Sequence, residues 1–128
     1  MKERRSAPRY TCQTAINVHS TDNHTHSAQA CNISEIGISF YLDDKEILNL
    51  YNEGVILNIG DAFNLTFKSN HNNSNSAIHC LVKQVRRLSQ NMYLVGAWFN
   101  HLKAEEQLII NNLLKEARTA ENTKLASE

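Results

Sequence analysis

Chain breakers, cysteine pairs and surplus charge are all scarce in this chain. Its 128 residues include one proline and 4 glycines, so Asn, Ser, His and Asp must form most of its turns. The three cysteines, Cys12, Cys31 and Cys80, are odd in number and have no Cys-x-x-Cys spacing. That argues against a disulfide framework or a zinc site and predicts reduced, mostly buried thiols. No apolar run approaches the roughly 20 residues of a membrane helix, and the amino-terminal stretch is charged rather than a signal-peptide core. The expectation is a cytoplasmic protein with no membrane insertion. The 13 basic residues are matched by 13 acidic ones. A general DNA or RNA binder needs a positive surplus to attract phosphates, so no nucleic-acid partner is expected, and any bound anion must be held by a local charge cluster. No glycine-rich phosphate-cradling loop is visible, which argues against an NTPase.

Period-two patterning dominates what remains. Tyr10, Cys12, Thr14, Ile16 and Val18 alternate with polar residues and predict a strand over Tyr10–Val18. "HSTDNHTHS" reads as a loop. "AQACNISEIGISFYL" reads as two strands meeting at a tight bend from Ser34 to Gly37. "DDKEILNLYNEG" suggests a loop with a helical turn. Phe63, Leu65 and Phe67 alternate after a Gly60-Asp61 turn, "NHNNSNS" is a polar linker, and "AIHCLVKQVRRL" and "NMYLVGAWF" flank "SQN" as a hairpin. The period then changes. Ile109, Ile110, Leu113, Leu114 and Ala117 share one helical face, with Glu105 and Glu106 in the first turn, which predicts a helix over Ala104–Thr119. The predicted fold is mainly β: a small six-stranded antiparallel (split) barrel with a C-terminal α-helix. Its organisation is a flexible arginine segment over 1–9, a barrel-and-helix domain over 10–119 and a disordered tail over 120–128.

Two short stretches carry candidate chemistry. Arg5-Ser-Ala-Pro-Arg9 has the spacing Arg-x-x-x-Arg directly before the first strand, with Arg4 adjoining it, and Asn32-x-Ser34-x-x-Gly37 lies at the predicted bend. Singly, each has a plain reading: terminal arginines as solvated charges, and Asn-x-Ser before glycine as an Asx or Ser turn. In this order and spacing the pair resembles the PilZ domain family of bacterial receptors for the second messenger cyclic di-GMP. "YLVGAWF", with Gly96 three residues before Phe99, looks like that family's late strand, and the helix from Ala104 is similar to its C-terminal helix. The likeness covers about residues 4 to 117.

The resemblance implies a non-enzymatic receptor for cyclic di-GMP, without cofactor or metal, whose ligand sits between the N-terminal arginines and the Asn32–Ser34 bend. Arg4, Arg5, Arg9, Asn32, Ser34 and Gly37 are the implied ligand residues. Guanidinium forks suit phosphate oxygens and the O6/N7 edge of guanine. The amide of Asn32 and the hydroxyl of Ser34 can read base edges, and Gly37 lets backbone approach the ligand. Asn32 stands where the family has Asp or Asn. An arginine at the position of Arg4 is implied to support a stacked ligand pair. Ligand binding would order the arginine segment, with Pro8 limiting the cost, and the signal would pass to a partner protein in motility, biofilm or pilus control. A monomer and a homodimer both fit.

Competing readings remain. The same fold serves as a protein-interaction adaptor that binds no nucleotide, although such domains typically lack these arginines. A barrel binding single strands would need a basic groove with several aromatic platforms. Arg86 and Arg87 are either further ligand contacts or outward-facing charges, and Trp98 is a stacking surface if it faces outward. His19, His24 and His26, with His71, His79 and His101, lack finger-like partners for a metal. Cys80 with His79 or His101 lacks an orienting acid.

Overall fold

The computed structural model of the chain describes residues 8–19, 25–53, 57–68 and 77–127. Within them six strands form: β1 (Tyr10–His19), β2 (Thr25–Ile33), β3 (Gly37–Asp43), β4 (Ala62–Phe67), β5 (Ile78–Arg87) and β6 (Met92–Phe99). Helix α1 (Asp44–Asn52) follows β3 and helix α2 (Ala104–Ser127) follows β6. The strands close into an antiparallel barrel in the order β1-β2-β3-β6-β5-β4, sealed by pairing of β1 with β4 from Ile16↔Phe67 to His19↔Asn64. Closure gives every described strand a paired neighbour on each side.

The alternation that predicts the strands also fills the barrel. Ile16 and Val18 of β1, Phe40 and Leu42 of β3, Leu65 of β4, Val82 of β5 and Val95 of β6 are buried, and Phe40 meets Phe63 edge to face with centroids 5.8 Å apart. Two helices add buried residues to this core. Ile110, Leu114 and Ala117 of α2 bury the face that their spacing predicts, and α2 packs against β1. Arg118 lies over the Tyr10 ring at 5.4 Å from its centroid. The helix continues past Thr119 to Ser127, through the stretch expected to fray. The loop expected after β3 is likewise a nine-residue helix, started by the Asp43 side chain, which accepts from the Glu46 amide at 2.8 Å. Its sequence signal is weak because one residue, Leu50, is fully buried.

Helix α1 is also tied to the barrel through a histidine. His26 of β2 is 8% exposed, and its Nδ1 and Nε2 each lie 2.8 Å from a carboxylate oxygen, of Glu46 and Glu53 respectively. Burial opposes charge on this imidazole, but the hydrogen bonds and negative charge of Glu53 and Glu46 outweigh it and raise its pKa above the ordinary value. With both ring nitrogens donating, the imidazolium joins β2 to both ends of α1. His26 therefore has a structural post. His19 is also occupied, its Nε2 lying 2.9 Å from Thr66 Oγ1. His24 and His71 lie outside the described residues.

Candidate functional site

Two irregularities in pairing shape the outer face of the barrel. In β2, Ala30 pairs with Phe40 but Asn32 pairs with Ser39, so Cys31 is an extra residue. In β5, Val82 pairs with Ala97 but Gln84 pairs with Gly96, so Lys83 is an extra residue. Each bulge breaks the alternation and re-aims the side chains that follow it. Asn32, Ser39, Gly96 and Gln84 thereby form one row across β2, β3, β6 and β5. Ser39 and Gly96 leave the floor of this row low.

The turn from β2 to β3 forms one wall. Ser34 is 5% exposed, and its Oγ accepts from the amides of Ile36 and Gly37, both at 3.2 Å. The Ser34 amide donates to Gly37 O at 2.9 Å. This is the Ser turn anticipated as the plain reading, and it leaves the hydroxyl proton as the group able to donate outward. Gly37 has a packing reason that the sequence does not show. A Cβ there would drive into the backbone carbonyl oxygen of Ala97 on β6. The glycine is required by the close approach of β3 to β6, whatever it also offers a ligand.

Register brings Arg9 to the same place. Tyr10 pairs with Ile33, so the residue just before β1 arrives beside Ser34. A cleft on this outer face is lined by Arg9, Asn32, Ser34 and Gly37 together with Lys83 and Trp98. Among the described residues its lining includes two cations and no carboxylate, so it suits an anion despite the neutral chain. Arg4 and Arg5 lie outside the described residues. Of the six residues implied as ligand contacts, the four that are described meet in this cleft.

The remaining candidates part company. Trp98 faces outward, 39% exposed, while its neighbour Ala97 is buried, and Lys83 Nζ sits 4.4 Å from the centre of its ring. Arg87 turns to the β5–β6 hairpin, donating to Ser89 O at 3.0 Å and Gln90 O at 3.1 Å, and Arg86 is exposed outside the cleft lining. Cys80 is fully buried, and burial pushes its pKa up to about 12. His79 is exposed on the opposite face, its Nδ1 lying 3.0 Å from Asn100 Nδ2. The two cannot act as a nucleophile and its base. Among the described residues no group of three His, Cys, Asp or Glu side chains is arranged to hold a metal ion, and no helix is long and apolar enough to cross a membrane. Sequence reasoning missed Ser39, Lys83 and Gln84 as cleft residues. The bulges that place them depend on pairing with distant strands and leave no local signal.

The described residues thus form a closed six-stranded barrel with a polar cleft on its outer wall that holds Arg9 and Lys83. The chain belongs to the PilZ family: the model of the PilZ domain matches residues 3–116. Solved structures share the fold. The PilZ domain of YcgR from Escherichia coli, with c-di-GMP, aligns at a TM-score of 0.68 and 11% identity, covering 98% of this chain and 100% of that one. The c-di-GMP complex of K. pneumonia MrkH aligns at 0.69 and 16% identity, covering 97% of this chain and 57% of that one. The Bacillus subtilis inhibitor of motility MotI/DgrA aligns at 0.68 and 14% identity, covering 96% of this chain and 53% of that one. This chain thus spans a little over half the length of MrkH and MotI/DgrA. No curated protein matches it in sequence.

Proposed function

We propose that this protein is a receptor for cyclic di-GMP, acting by binding rather than catalysis. The observation that carries the reading is the convergence of Arg9, Asn32 and Ser34 on one cleft whose charged residues, among those described, are Arg9 and Lys83. Within a PilZ domain that supplies the groups a cyclic dinucleotide needs. Arg9 offers a planar fork for a phosphate or the guanine O6/N7 edge. Asn32 offers an amide for a base edge, and Ser34 a hydroxyl donor. The small residues Ser39 and Gly96 let a flat ring approach the sheet. The described relatives in complex with c-di-GMP, YcgR and MrkH, support the same ligand class.

Arg4 and Arg5 complete the site from the segment before Arg9, Arg5 as the first arm of the Arg-x-x-x-Arg clamp and Arg4 as the residue that admits a second, stacked ligand. Ligand binding orders this segment and presents a changed surface to a partner protein in the cytoplasm, of the kind that controls motility, biofilm or pili. Calorimetric titration with cyclic di-GMP tests the reading. Binding at micromolar concentration is expected, weakened at least tenfold by Arg9→Ala and by Arg5→Ala, since a charge-assisted contact contributes about 1.5–3 kcal/mol. Absence of binding by the intact protein would overturn it and leave a nucleotide-independent adaptor. A stoichiometry of two ligands per chain that falls to one in Arg4→Ala is the expected result for Arg4.

A further inference from the structure

The cleft contains a pair of side chains that the proposed recognition has not used. Trp98 is the single tryptophan of the chain. It stands on the outer face of β6, partly exposed, and the Lys83 ammonium lies over its ring at 4.4 Å from the centroid, both side chains lining the cleft. Lys83 reaches it because it is the extra residue of the β5 bulge: Val82 and Gln84 keep their partners on β6, Ala97 and Gly96, and residue 83 is turned out between them. Bulges recur beside functional sites because they re-aim one side chain without unmaking the sheet.

We propose that Trp98 and Lys83 form a base-stacking subsite in which Lys83 is a removable cap. In the free protein the lysine covers the aromatic face that a planar base would take. A purine entering the cleft displaces it and stacks on the indole. The released ammonium, on its flexible four-carbon stem, then pairs with a phosphate of the same ligand. The exchange is favourable because a base on an aromatic face outweighs a solvent-exposed cation over it. It also keeps the exposed tryptophan partly covered while no ligand is bound. The subsite accepts a purine nucleotide by its flat face and its charge, and the edge-reading groups Asn32 and Gln84 lie on the same outer face. This inference rests on the receptor reading above.

Because Trp98 is the one tryptophan, its emission reports on this subsite alone. Titration of the full chain with cyclic di-GMP is expected to quench Trp98 fluorescence in step with the calorimetric isotherm. Trp98→Ala should weaken binding roughly tenfold or more, with Trp98→Phe recovering most of the loss. Lys83→Met should retain the quench and make the affinity less sensitive to added salt, since one cation fewer meets the phosphates of the ligand. Matching far-UV dichroism and urea midpoints establish that the variants are folded. Calorimetric binding with unchanged Trp98 emission, or wild-type affinity in Trp98→Ala, overturns the stacking subsite and leaves the receptor function standing. An unaltered salt sensitivity in Lys83→Met overturns the role given to the lysine. Absence of any calorimetric binding by the wild type overturns the receptor reading, and the subsite with it.

Discussion

Replacing Gly37 with alanine separates a packing role from a binding role. The backbone there needs no glycine for its angles, since Gly60, at φ 92°, is the positive-φ glycine among the described residues. The obstacle is space. The new methyl group would meet the carbonyl oxygen of Ala97, a backbone atom of a strand held on both sides by β3 and β5. Relief requires β3 and β6 to part where Gly37 pairs with Trp98 and Ile38 with Ala97. Overpacking costs about 1–3 kcal/mol, and with backbone as the obstacle the upper end applies. The lost freedom of the unfolded chain returns about 0.4–1 kcal/mol, for a net loss near 2 kcal/mol, a large part of a typical stability of about 5–15 kcal/mol. With a urea m-value of about 2 kcal/mol/M, the midpoint should fall by about 1 M. Gly96→Ala is the control. Its Cβ would lie 3.3 Å from Gln84 Cγ, an exposed side chain that can move, so its stability should change by less than about 1 kcal/mol. Its methyl group would instead stand on the cleft floor and weaken ligand binding. Equal midpoints for Gly37→Ala and the wild type would refute the close-approach argument.

Two further expectations concern titratable groups. The pKa of His26 is raised in the folded protein by Glu53 and Glu46 against the opposing effect of burial, so its stabilisation is complete below the unfolded value of about 6.5 and is lost as pH rises through the folded one. Urea midpoints measured upward from pH 6 should show a fall that His26→Gln abolishes, and an equal fall in that variant would sink the account. Burial raises the Cys80 pKa to about 12, so in native protein near pH 7.5 Cys80 should resist a maleimide and become labelled only in denaturant. Mass spectrometry locates the label, and rapid native labelling of Cys80 would contradict its place in the core.

Alternation made β1, the two strands about the Ser34–Gly37 turn, and the β5–β6 hairpin legible, because inside and outside in a barrel differ by one residue. The α2 stripe was legible for the same kind of reason: Ile110, Leu114 and Ala117 are three and four residues apart and are buried together. Helix α1 was not. It buries one residue fully, and its anchor is His26, a residue whose partners Glu46 and Glu53 lie twenty or more positions away. Nor was the purpose of Gly37 legible, since the atom that excludes a side chain there belongs to Ala97, sixty residues on. Among the site residues, Asn32, Ser34, Gly37 and Arg9 were found as motif members, whereas nothing in the sequence singled out Lys83.

The amino-acid sequence determined the strands, the Ser turn, the apolar face of the C-terminal helix, and the presence of arginine, amide and hydroxyl groups near one strand end, because each depends on residues a few positions apart. Tertiary structure alone decided that β3 lies beside β6, that bulges fall at Cys31 and Lys83, and that Trp98 faces out beneath a lysine. Strand partners and register follow from which distant segments share a core, and that energy is distributed over the whole barrel rather than written in any short stretch.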